Sequence, residues 1–335
     1  MRTESPRKSN PERWNQSQSL PTICARIFAT DLFTDFDFRI AVPQNLSNPE
    51  LFLARAGEGE LVSRASSEVP VFSTHTAYED GQPHCSLYKG PGGDLFHFPR
   101  IGTFRLWGDR IEYDLAEGSN LAMMEICFLG VIFSYWQELR GRIALHASAV
   151  SVNDSAIAFL ASPWSGKTSL AAALIRRQHP LISDDIACLD LATQEVLVLP
   201  SYPQMRMWPE QLDNFGCRSA GLIRVWPGVD KWFVPVGPQG FGAFCDQARP
   251  LRCIYLPRRE ESADSVEISL LQPGEALIEL VRFSFLPRTL SAARLEAKRL
   301  GALKRIVTEV PVKRLIYPQG FQHLNAVCRA IEEDT

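Results

Sequence analysis

The chain lacks the cysteine patterns of a disulfide-stabilised secreted protein or of a zinc site. Its eight cysteines are dispersed over 335 residues, none forms a Cys-x-x-Cys pair, and most have apolar neighbours. Cysteines in such positions are typical of small buried side chains that stay reduced. We therefore expect a cytoplasmic protein without a disulfide framework.

A long hydrophobic run is missing as well. The stretch from Leu121 to Trp136 has sixteen residues and is interrupted by Glu125, whereas a helix needs about 20 apolar residues to span a bilayer. We expect a buried helix there and no membrane partner. Residues 1–20 contain basic and polar residues but no apolar core, so they are predicted to be a disordered leader rather than a secretory signal.

The chain has no large excess of charge of either sign. Its formal net charge is −3, which creates no field that would attract it to nucleic acid, so no nucleic-acid partner is expected. Hydrophobic residues make up 45% and charged residues 22% of the sequence, as in ordinary globular proteins with a sizeable core. The length is typical of two domains, and the composition leaves a homo-oligomer open.

Short apolar segments separated by glycine, proline, asparagine and aspartate occupy the first third of the sequence. This pattern predicts a β-rich N-terminal domain over residues 21–140, which ends in an apolar helix at about 119–139. Residues 141–335 are predicted to form a second domain with mixed strands and helices. Its predicted elements are strands at 143–152, 155–160 and from 181, an edge strand at 312–316, and helices up to about 177, at 273–285, at 290–307 and at 319–331.

The residues after the apolar segment 155–160 have the pattern of a phosphate-binding loop. They read Ala161-Ser162-Pro163-Trp164-Ser165-Gly166-Lys167-Thr168 and continue into a helical sequence that begins with Ser169. Strand, loop and helix in this order is the context that the motif requires, and the backbone N–H groups of such a loop converge on phosphate oxygens. We therefore expect binding of ATP with Mg²⁺. Lys167 would contact the β- and γ-phosphates, and the Thr168 hydroxyl would bind the metal ion.

One position departs from this motif. Ala161 stands where the first glycine is usual, so the backbone there is expected to adopt a conformation open to a residue with a Cβ atom. Pro163 is expected to stiffen the loop further. The alternative interpretation is a chance Gly-Lys-Thr sequence at the start of a helix.

Two adjacent acids, Asp184 and Asp185, end the strand that follows this helix. The chain turns at the end of a strand, so both carboxylates could approach a metal–phosphate cluster. One would bind Mg²⁺ and the other would accept a proton from an incoming hydroxyl; the alternative is an acidic turn that caps the next element. His146 lies on the strand before the loop strand, where an isolated histidine is more often a core residue.

Taken in order, three segments resemble the catalytic domain of HPr kinase/phosphorylase and its relatives. They are 146–150 (His-Ala-Ser-Ala-Val), 165–171 (Ser-Gly-Lys-Thr-Ser-Leu-Ala) and 179–185 (His-Pro-Leu-Ile-Ser-Asp-Asp). Within that family the chain is most similar to serine-kinase-like proteins encoded with lasso-peptide and other modified-peptide pathways. In that subgroup a Tyr-Pro-x-x-Arg-x-Trp-Pro segment follows, which residues 202–209 match, and the segment 310–315 is similar too.

The resemblance covers residues 140–330 well and implies an α/β (mixed α+β) protein. Its catalytic part would be a P-loop kinase domain of the HPr kinase and phosphoenolpyruvate carboxykinase type. The implied catalytic residues are Asp184 as the base, His146 as the group that orients this base or the γ-phosphate, and Lys167. Residues 161–169 and Arg206 would bind nucleotide, and Thr168 and Asp185 would bind metal. The roles of the two acids could be reversed.

Departures from the family pattern narrow the expected substrate. The glycine-rich segment with which bacterial HPr kinases engage HPr has no match after Asp185, so HPr is not the expected acceptor. We expect instead a hydroxyl, that of serine, on a small peptide or peptide precursor. The alternatives are a nucleotide-binding regulator or scaffold of a peptide-modifying complex, and a small-molecule kinase.

Several further residues carry a structural expectation. Gln178 occupies the usual glycine position before His179, so the loop helix is predicted to end without a left-handed cap. Lys231 is either a phosphate contact or a solvated residue, and Trp208 lines a groove or packs in the core. The charged run 258–261 is predicted to be a solvated turn.

Overall fold

The computed structural model describes residues 23–39, 49–65, 68–162, 165–238 and 240–335. The predicted leader at residues 1–20 and the loop residues Pro163 and Trp164 therefore lie outside the described part. Within the described part, strands form three sheets that are interspersed with helices, so the fold is mixed α/β.

The first sheet is built from residues 23–115. Its strands are β1 (Ile23–Ile27), β2 (Thr30–Thr34), β3 (Leu51–Arg55), β4 (Phe72–Ser73), β5 (Ser86–Gly90), β6 (Gly93–Phe98), β7 (Gly102–Trp107) and β8 (Arg110–Leu115). In the described chain they pair in the order β1-β2-β3-β8-β7-β6-β5-β4. Phe104 and Leu106 of β7 lie opposite Tyr113 and Ile111 of β8, and all four are buried on one face. This arrangement follows from the period of two in a strand. Helix α1 (Glu60–Ala65) packs on the other face.

The sixteen-residue apolar stretch is helical and buried, as predicted. It forms α2 (Leu121–Cys127), a π-helical turn (Phe128–Ile132) and α3 (Phe133–Leu139), and its aromatic rings pack into the core of the first sheet. Glu125, the charged residue inside it, is buried and ion-paired with Arg39 at 2.6 Å. Among the described residues we find no helix with the length and apolar character that a membrane crossing demands.

The remaining strands form the other two sheets. In chain order they are β9 (Ile143–Leu145), β10 (Ala147–Val152), β11 (Ser155–Leu160), β12 (Leu181–Ser183), β13 (Ala187–Asp190), β14 (Leu197–Leu199), β15 (Gln204–Met207), β16 (Ile223–Arg224), β17 (Trp232–Pro235), β18 (Arg249–Glu260), β19 (Glu267–Leu270) and β20 (Val312–Pro318). The second sheet follows the path β12-β10-β11-β18-β14-β13-β9, with β20 paired to β18 and β19 paired to β20. The third sheet has the order β15-β17-β16.

Five helices of the described chain pack beside these strands: α4 (Lys167–Arg176), α5 (Pro209–Phe215), α6 (Pro273–Arg282), α8 (Glu296–Glu309) and α9 (Leu324–Asp334), the last preceded by a 3₁₀ turn (Phe321–His323). Helix α7 (Pro287–Ala292) instead contributes Leu290 to the core of the first sheet. The apolar side of α4 packs in one core cluster with α9 and β11, and α6 and α8 pack in a second cluster. The phosphate-loop helix therefore lies between the sheet and the last helix.

Two predicted elements near the C-terminus were wrong in detail. The helix predicted at 290–307 is divided into α7 and α8, because Arg294 adopts a positive φ of 60° that interrupts the helix. The strand predicted to lie at an edge is β20, which has β18 on one side and β19 on the other. Most residues of β19 are exposed, so its sequence has little of the apolar alternation that marks a strand.

Helix α4 ends with a left-handed residue, contrary to the sequence prediction. Gln178 has a φ of 72°. Its N–H donates to the carbonyl of Ile175 at 3.0 Å, and the N–H of His179 donates to that of Leu174 at 3.1 Å. These two bonds form a Schellman motif, which glutamine supports here without the usual glycine.

The end of α4 is also connected to the last helix. Arg177 donates to the carboxylate of Glu332 at 2.7 and 2.6 Å, and Nε2 of His179 lies 2.8 Å from the same group. The hydrogen bonds from Arg177 lower the pKa of Glu332 to about 2. Nearby in α9, the carboxylate of Asp334 accepts hydrogen bonds from Tyr255 at 2.5 Å and from Lys313 at 2.7 Å.

A buried ion pair connects α3 to α8. Arg299 donates to the carboxylate of Glu138, to the carbonyl of Ala144 at 3.0 Å and to the hydroxyl of Ser284 at 3.3 Å. Glu138 in turn accepts the N–H of Ala144 at 2.8 Å. The two charged side chains are 7% and 3% exposed, and burial lowers the pKa of Arg299 to about 10. Their contacts with Ala144 hold the middle of β9 between the two helices.

We expect Gln178→Gly to stabilise the protein by about 0.5–1 kcal/mol. The variant removes the left-handed penalty of about 1–2 kcal/mol, and the greater entropy of glycine in the unfolded chain offsets part of that gain. Urea denaturation measures the change, with Gln178→Ala as the control, because alanine retains the Cβ atom. Equal stability of the two variants would show that the left-handed backbone is not strained.

We expect Glu138→Gln to reduce the free energy of unfolding by about 3–5 kcal/mol, because it leaves a buried guanidinium without its counter-charge. The double variant Glu138→Leu/Arg299→Met should be more stable than Glu138→Gln, since it removes both charges. Urea denaturation of the three proteins tests this order. If Glu138→Gln reduces the free energy of unfolding by less than about 1 kcal/mol, the ion pair behaves as a solvated pair and not as a buried one.

Candidate active site

The predicted phosphate loop connects β11 to α4 as the motif requires. Gly166 is the residue before the helix and has a φ of 96°, in the left-handed region. A Cβ atom at this position would lie 2.7 Å from the hydroxyl of Tyr317, so both the backbone conformation and the space demand glycine. Ala161, in contrast, has no positive φ. Its departure from the motif therefore carries no backbone strain.

The ammonium of Lys167 lies at the start of the loop. It donates to the carbonyls of Ala161 at 2.5 Å and Ser162 at 3.1 Å, and the residue is only 8% exposed. Burial lowers the pKa of Lys167, and the carboxylates of Asp185 and Asp184 oppose that shift. The side chain therefore lies within electrostatic reach of both predicted acids.

Two strand breaks bring the predicted histidine and acids together. The strand predicted over 143–152 is interrupted at His146: β9 pairs with β13, while β10 pairs with β11 and β12. The chain between β12 and β13 is interrupted at the two acids in the same way. Since Leu145 lies opposite Ala187 and Ala149 lies opposite Ser183, His146 and the acids occupy facing positions. The N–H of His146 donates to the carbonyl of Phe283 at 2.9 Å instead of to a neighbouring strand.

Asp184 is the more buried of the two acids. Its side chain accepts the hydroxyls of Ser148 at 2.6 Å and Thr168 at 3.2 Å on one oxygen, and the backbone N–H of Arg206 at 2.9 Å on the other. The residue is 5% exposed. Asp184 is therefore the acid that contacts the threonine of the phosphate loop.

Asp185 faces the open side of the site. Its φ of 72° turns the chain, and aspartate is among the residues that tolerate this conformation. Its carboxylate binds Arg206 at 2.5 Å, and Arg206 also donates to the hydroxyl of Tyr202 at 3.2 Å. Burial raises the pKa of the Asp185 carboxyl, but the Arg206 guanidinium and His146 lower it, and the net shift is downward. Asp185 is thus an ionised carboxylate at neutral pH.

His146 holds the backbone of Asp185. Its Nδ1 lies 2.9 Å from the carbonyl oxygen of Asp185, and a carbonyl only accepts, so Nδ1 carries the proton. Burial lowers the pKa of His146, an effect that Asp185 opposes. The ring is therefore neutral at pH 7, with Nε2 free of a proton as an acceptor.

Six of the residues described above line a cleft of about 340 Å³: His146, Gly166, Lys167, Thr168, Asp185 and Arg206. Its other lining residues include the predicted residues Ser165, Ser169 and Lys231, and also Trp208, Glu210, Gln211, Arg259 and Phe321. The Nζ atom of Lys231 lies 5.6 Å from the ring centre of Trp208. The sequence left Lys231 as a phosphate contact or a solvated residue, and Trp208 in a groove or in the core. Both residues line the cleft.

Arg259 was missed as a cleft residue. The turn predicted for 258–261 was wrong at 258–260, although Arg258 and Arg259 are exposed as predicted. Residues 258–260 belong to the long strand β18, and Arg259 lines the cleft. The apolar segment before them indicates a strand, but four successive charges hide that the strand continues. Gln211 was missed as well; it accepts the N–H of Trp208 at 2.9 Å and donates to Ser169 at 2.8 Å.

The donors in the site suit magnesium better than zinc. The described residues contain no group of three or more His, Cys, Asp and Glu side chains arranged to hold a metal ion. Mg²⁺ is commonly bound through one or two protein oxygens, with water and substrate phosphates as the other ligands. The hydroxyl of Thr168 and the adjacent carboxylate oxygen of Asp184, 3.2 Å apart, fit such a site.

No family model and no curated protein matches this chain. One similar solved structure is the HPr(Ser) kinase/phosphatase from Coxiella burnetii, with 13% sequence identity and a TM-score of 0.32. The similarity covers 57% of this chain and 95% of that chain. The function proposed below rests on the residues of the site and not on this similarity.

We expect Gly166→Ala to weaken Mg·ATP binding by about 5–30-fold, because an alanine there must hold a left-handed backbone at about 1–2 kcal/mol and displace Tyr317. Ala161→Gly is the matched control in the same loop and should change the affinity by less than about twofold. Calorimetry with Mg·ATP measures both. If the two variants bind alike, the loop does not contact the nucleotide.

Proposed function

We propose that this chain is an ATP-dependent kinase that transfers the γ-phosphoryl group to a serine hydroxyl of a small peptide. The observation that carries the proposal is a single cluster of a left-handed glycine, a buried lysine and a threonine at a helix start, facing two acids and a histidine. Each of these parts has a role in phosphoryl transfer. A nucleotide-binding scaffold would need the loop but not the second acid or the histidine.

The loop and Asp184 would bind the phosphates and the metal ion. The N–H groups at the start of α4 and the ammonium of Lys167 supply positive charge toward phosphate oxygens. Binding would exchange the hydrogen bonds of Lys167 with the loop carbonyls for bonds with phosphate. Bound Mg²⁺ supplies charge neutralisation, and Thr168 and Asp184 are the residues positioned to hold it.

We assign the base to Asp185, which reverses the first assignment of the two acids. Asp184 contacts Thr168 and does not line the cleft, whereas Asp185 lines it. As the hydroxyl oxygen bonds to the γ-phosphorus, the bond to the leaving oxygen of ADP breaks and the hydroxyl proton passes to Asp185. A carboxylate of lowered pKa suits this role, because the transition state is loose and the base mainly orients the hydroxyl.

His146 and Arg206 act through Asp185. His146 donates to its carbonyl and Arg206 to its carboxylate, so the left-handed residue is held from both ends. The buried Nε of Arg206 has no hydrogen-bond partner among the described residues, which leaves it a donor to offer a bound phosphate.

A peptide acceptor is proposed from the sequence. The segment 202–209 resembles that of the kinases in modified-peptide pathways, and a segment for HPr docking is missing after Asp185. A short peptide can present its hydroxyl to Asp185 through an extended end, without a preformed docking surface. A small-molecule kinase is the second candidate, and the acceptor assay below separates the two.

The proposal is tested by incubating the protein with Mg·ATP and, in separate reactions, HPr and the peptide encoded beside its gene. We expect a mass gain of about 80 daltons, one phosphoryl group, on the peptide only. Lys167→Ala should abolish transfer. Asp185→Asn should retain ATP binding but lose transfer by about 100-fold or more, whereas Asp184→Asn should shift the Mg²⁺ concentration needed for half-maximal rate upward.

Each opposing result has one meaning. Rescue of Asp185→Asn by high Mg²⁺, with Asp184→Asn inactive at every concentration, would return the base to Asp184. Phosphorylation of HPr alone would overturn the peptide assignment. ATP binding without transfer to any acceptor would favour a nucleotide-binding scaffold.

A further inference from the structure

A second cleft, of about 370 Å³, lies on the other side of the phosphate loop. Arg258 lines this cleft and Arg259 lines the first one. Neighbouring residues of a strand point to opposite faces, so the two clefts lie on opposite faces of the end of β18. The loop residue Ser165 borders both.

Three arginines and one glutamate, Glu279, surround an apolar floor in this second cleft. Arg258 comes from β18, Arg282 from the end of α6 and Arg314 from β20, and the floor includes Leu160 and Leu256. Across the β18–β20 pairing, Arg314 lies opposite Leu256. Three guanidinium groups around one apolar surface match a ligand that carries carboxylates on a chain with some apolar character.

The three arginines could exchange their present glutamate partners for a ligand. Their partners are exposed or half-buried glutamates: Arg258 pairs with Glu260 at 2.8 Å, Arg282 lies 3.7 Å from Glu279, and Arg314 binds Glu275. The arginine side chains are 68%, 64% and 40% exposed in that order. Ion pairs exposed to this degree contribute little to stability. A carboxylate ligand could therefore replace these contacts.

The cleft opens at the end of the loop where transfer would occur. Ala161 and Ser162, whose carbonyls hold the ammonium of Lys167, also line it. The lysine of such a loop contacts the β- and γ-phosphates, so this end of the loop is the γ end. Phe283 lines the cleft too and accepts the N–H of His146. The α-phosphate and the nucleoside then lie toward Ser169 and the first cleft, where Trp208 and Phe321 offer aromatic surfaces.

We propose that the cleft of Arg258, Arg282 and Arg314 binds the phosphoryl acceptor and selects peptides with carboxylates close to the accepting hydroxyl. This inference rests on the proposed kinase function and specifies its substrate class. The apolar floor would contact the peptide chain while the arginines bind the carboxylates. The hydroxyl would enter the site past the start of the loop.

The test uses fluorescein-labelled Glu-Glu-Ser-Glu-Glu and Gln-Gln-Ser-Gln-Gln, each with a free and an amidated C-terminus. Anisotropy without ATP measures binding to the full chain, and amidation separates side-chain carboxylates from a terminal one. We expect the glutamate peptide to bind at least about tenfold tighter than the glutamine peptide, with an affinity that falls as salt rises. Arg282→Ala/Arg314→Ala should abolish the difference and leave the Kd for Mg·ATP unchanged.

Arg252→Ala is the matched control, because Arg252 is an exposed arginine of the same strand that does not line the cleft. Arg258→Ala is a second variant that changes neither α6 nor β20, and it should weaken glutamate-peptide binding as well. Equal binding of both peptides, or a weaker Kd for Mg·ATP in Arg282→Ala/Arg314→Ala, would overturn the proposal; the second result would assign the cleft to the nucleotide.

Turnover distinguishes failure of this inference from failure of the kinase function. Transfer to the two peptides with the same KM would contradict the acceptor cleft and support a kinase that ignores acceptor charge. Charge-selective peptide binding with no transfer to any peptide would instead contradict the kinase function on which the acceptor role depends.

Discussion

The carboxylate of Asp184 holds the site together. It accepts hydrogen bonds from Ser148 on β10, from Thr168 on α4 and from the backbone of Arg206 on β15, three segments that are far apart in sequence. A carboxylate that is 5% exposed is stable only with such partners. Because its bond to Arg206 positions the residue that binds Asp185, the geometry of the second acid depends on that of the first.

The phosphate loop was the part of the site most accessible from sequence, because its chemistry is local. In the proposed function, Gly166, Lys167 and Thr168 would act through backbone and side chains within one turn of helix. The preceding apolar segment is sufficient to place them between a strand and a helix. The meeting of His146 with the two acids depends instead on which strands pair. A single sequence does not contain the strand register that sets Leu145 opposite Ala187. The proximity of His146 to the two acids could therefore be predicted only from the resemblance to a known family.

The different positions of the two acids, and the position of Arg259 in the cleft, could not be predicted from the sequence for a related reason. Two adjacent aspartates look equivalent until the left-handed backbone of Asp185 turns its side chain toward the cleft and leaves that of Asp184 on Thr168. Gln178 and Arg294 are left-handed at hydrogen-bonded helix ends, where glycine is the usual residue, so their residue types did not signal the conformation. Charged residues at the end of β18 have the composition of a turn, although the sheet extends through them.

The attachment of α9 to the end of α4 has a practical consequence for how the protein is handled. The last residues of the chain contact Arg177 and His179 through Glu332, and Tyr255 and Lys313 through Asp334. Removing α9 would uncover the apolar side of the helix whose first turn forms the phosphate loop. An affinity tag fused directly after Thr335 would be placed against these same contacts.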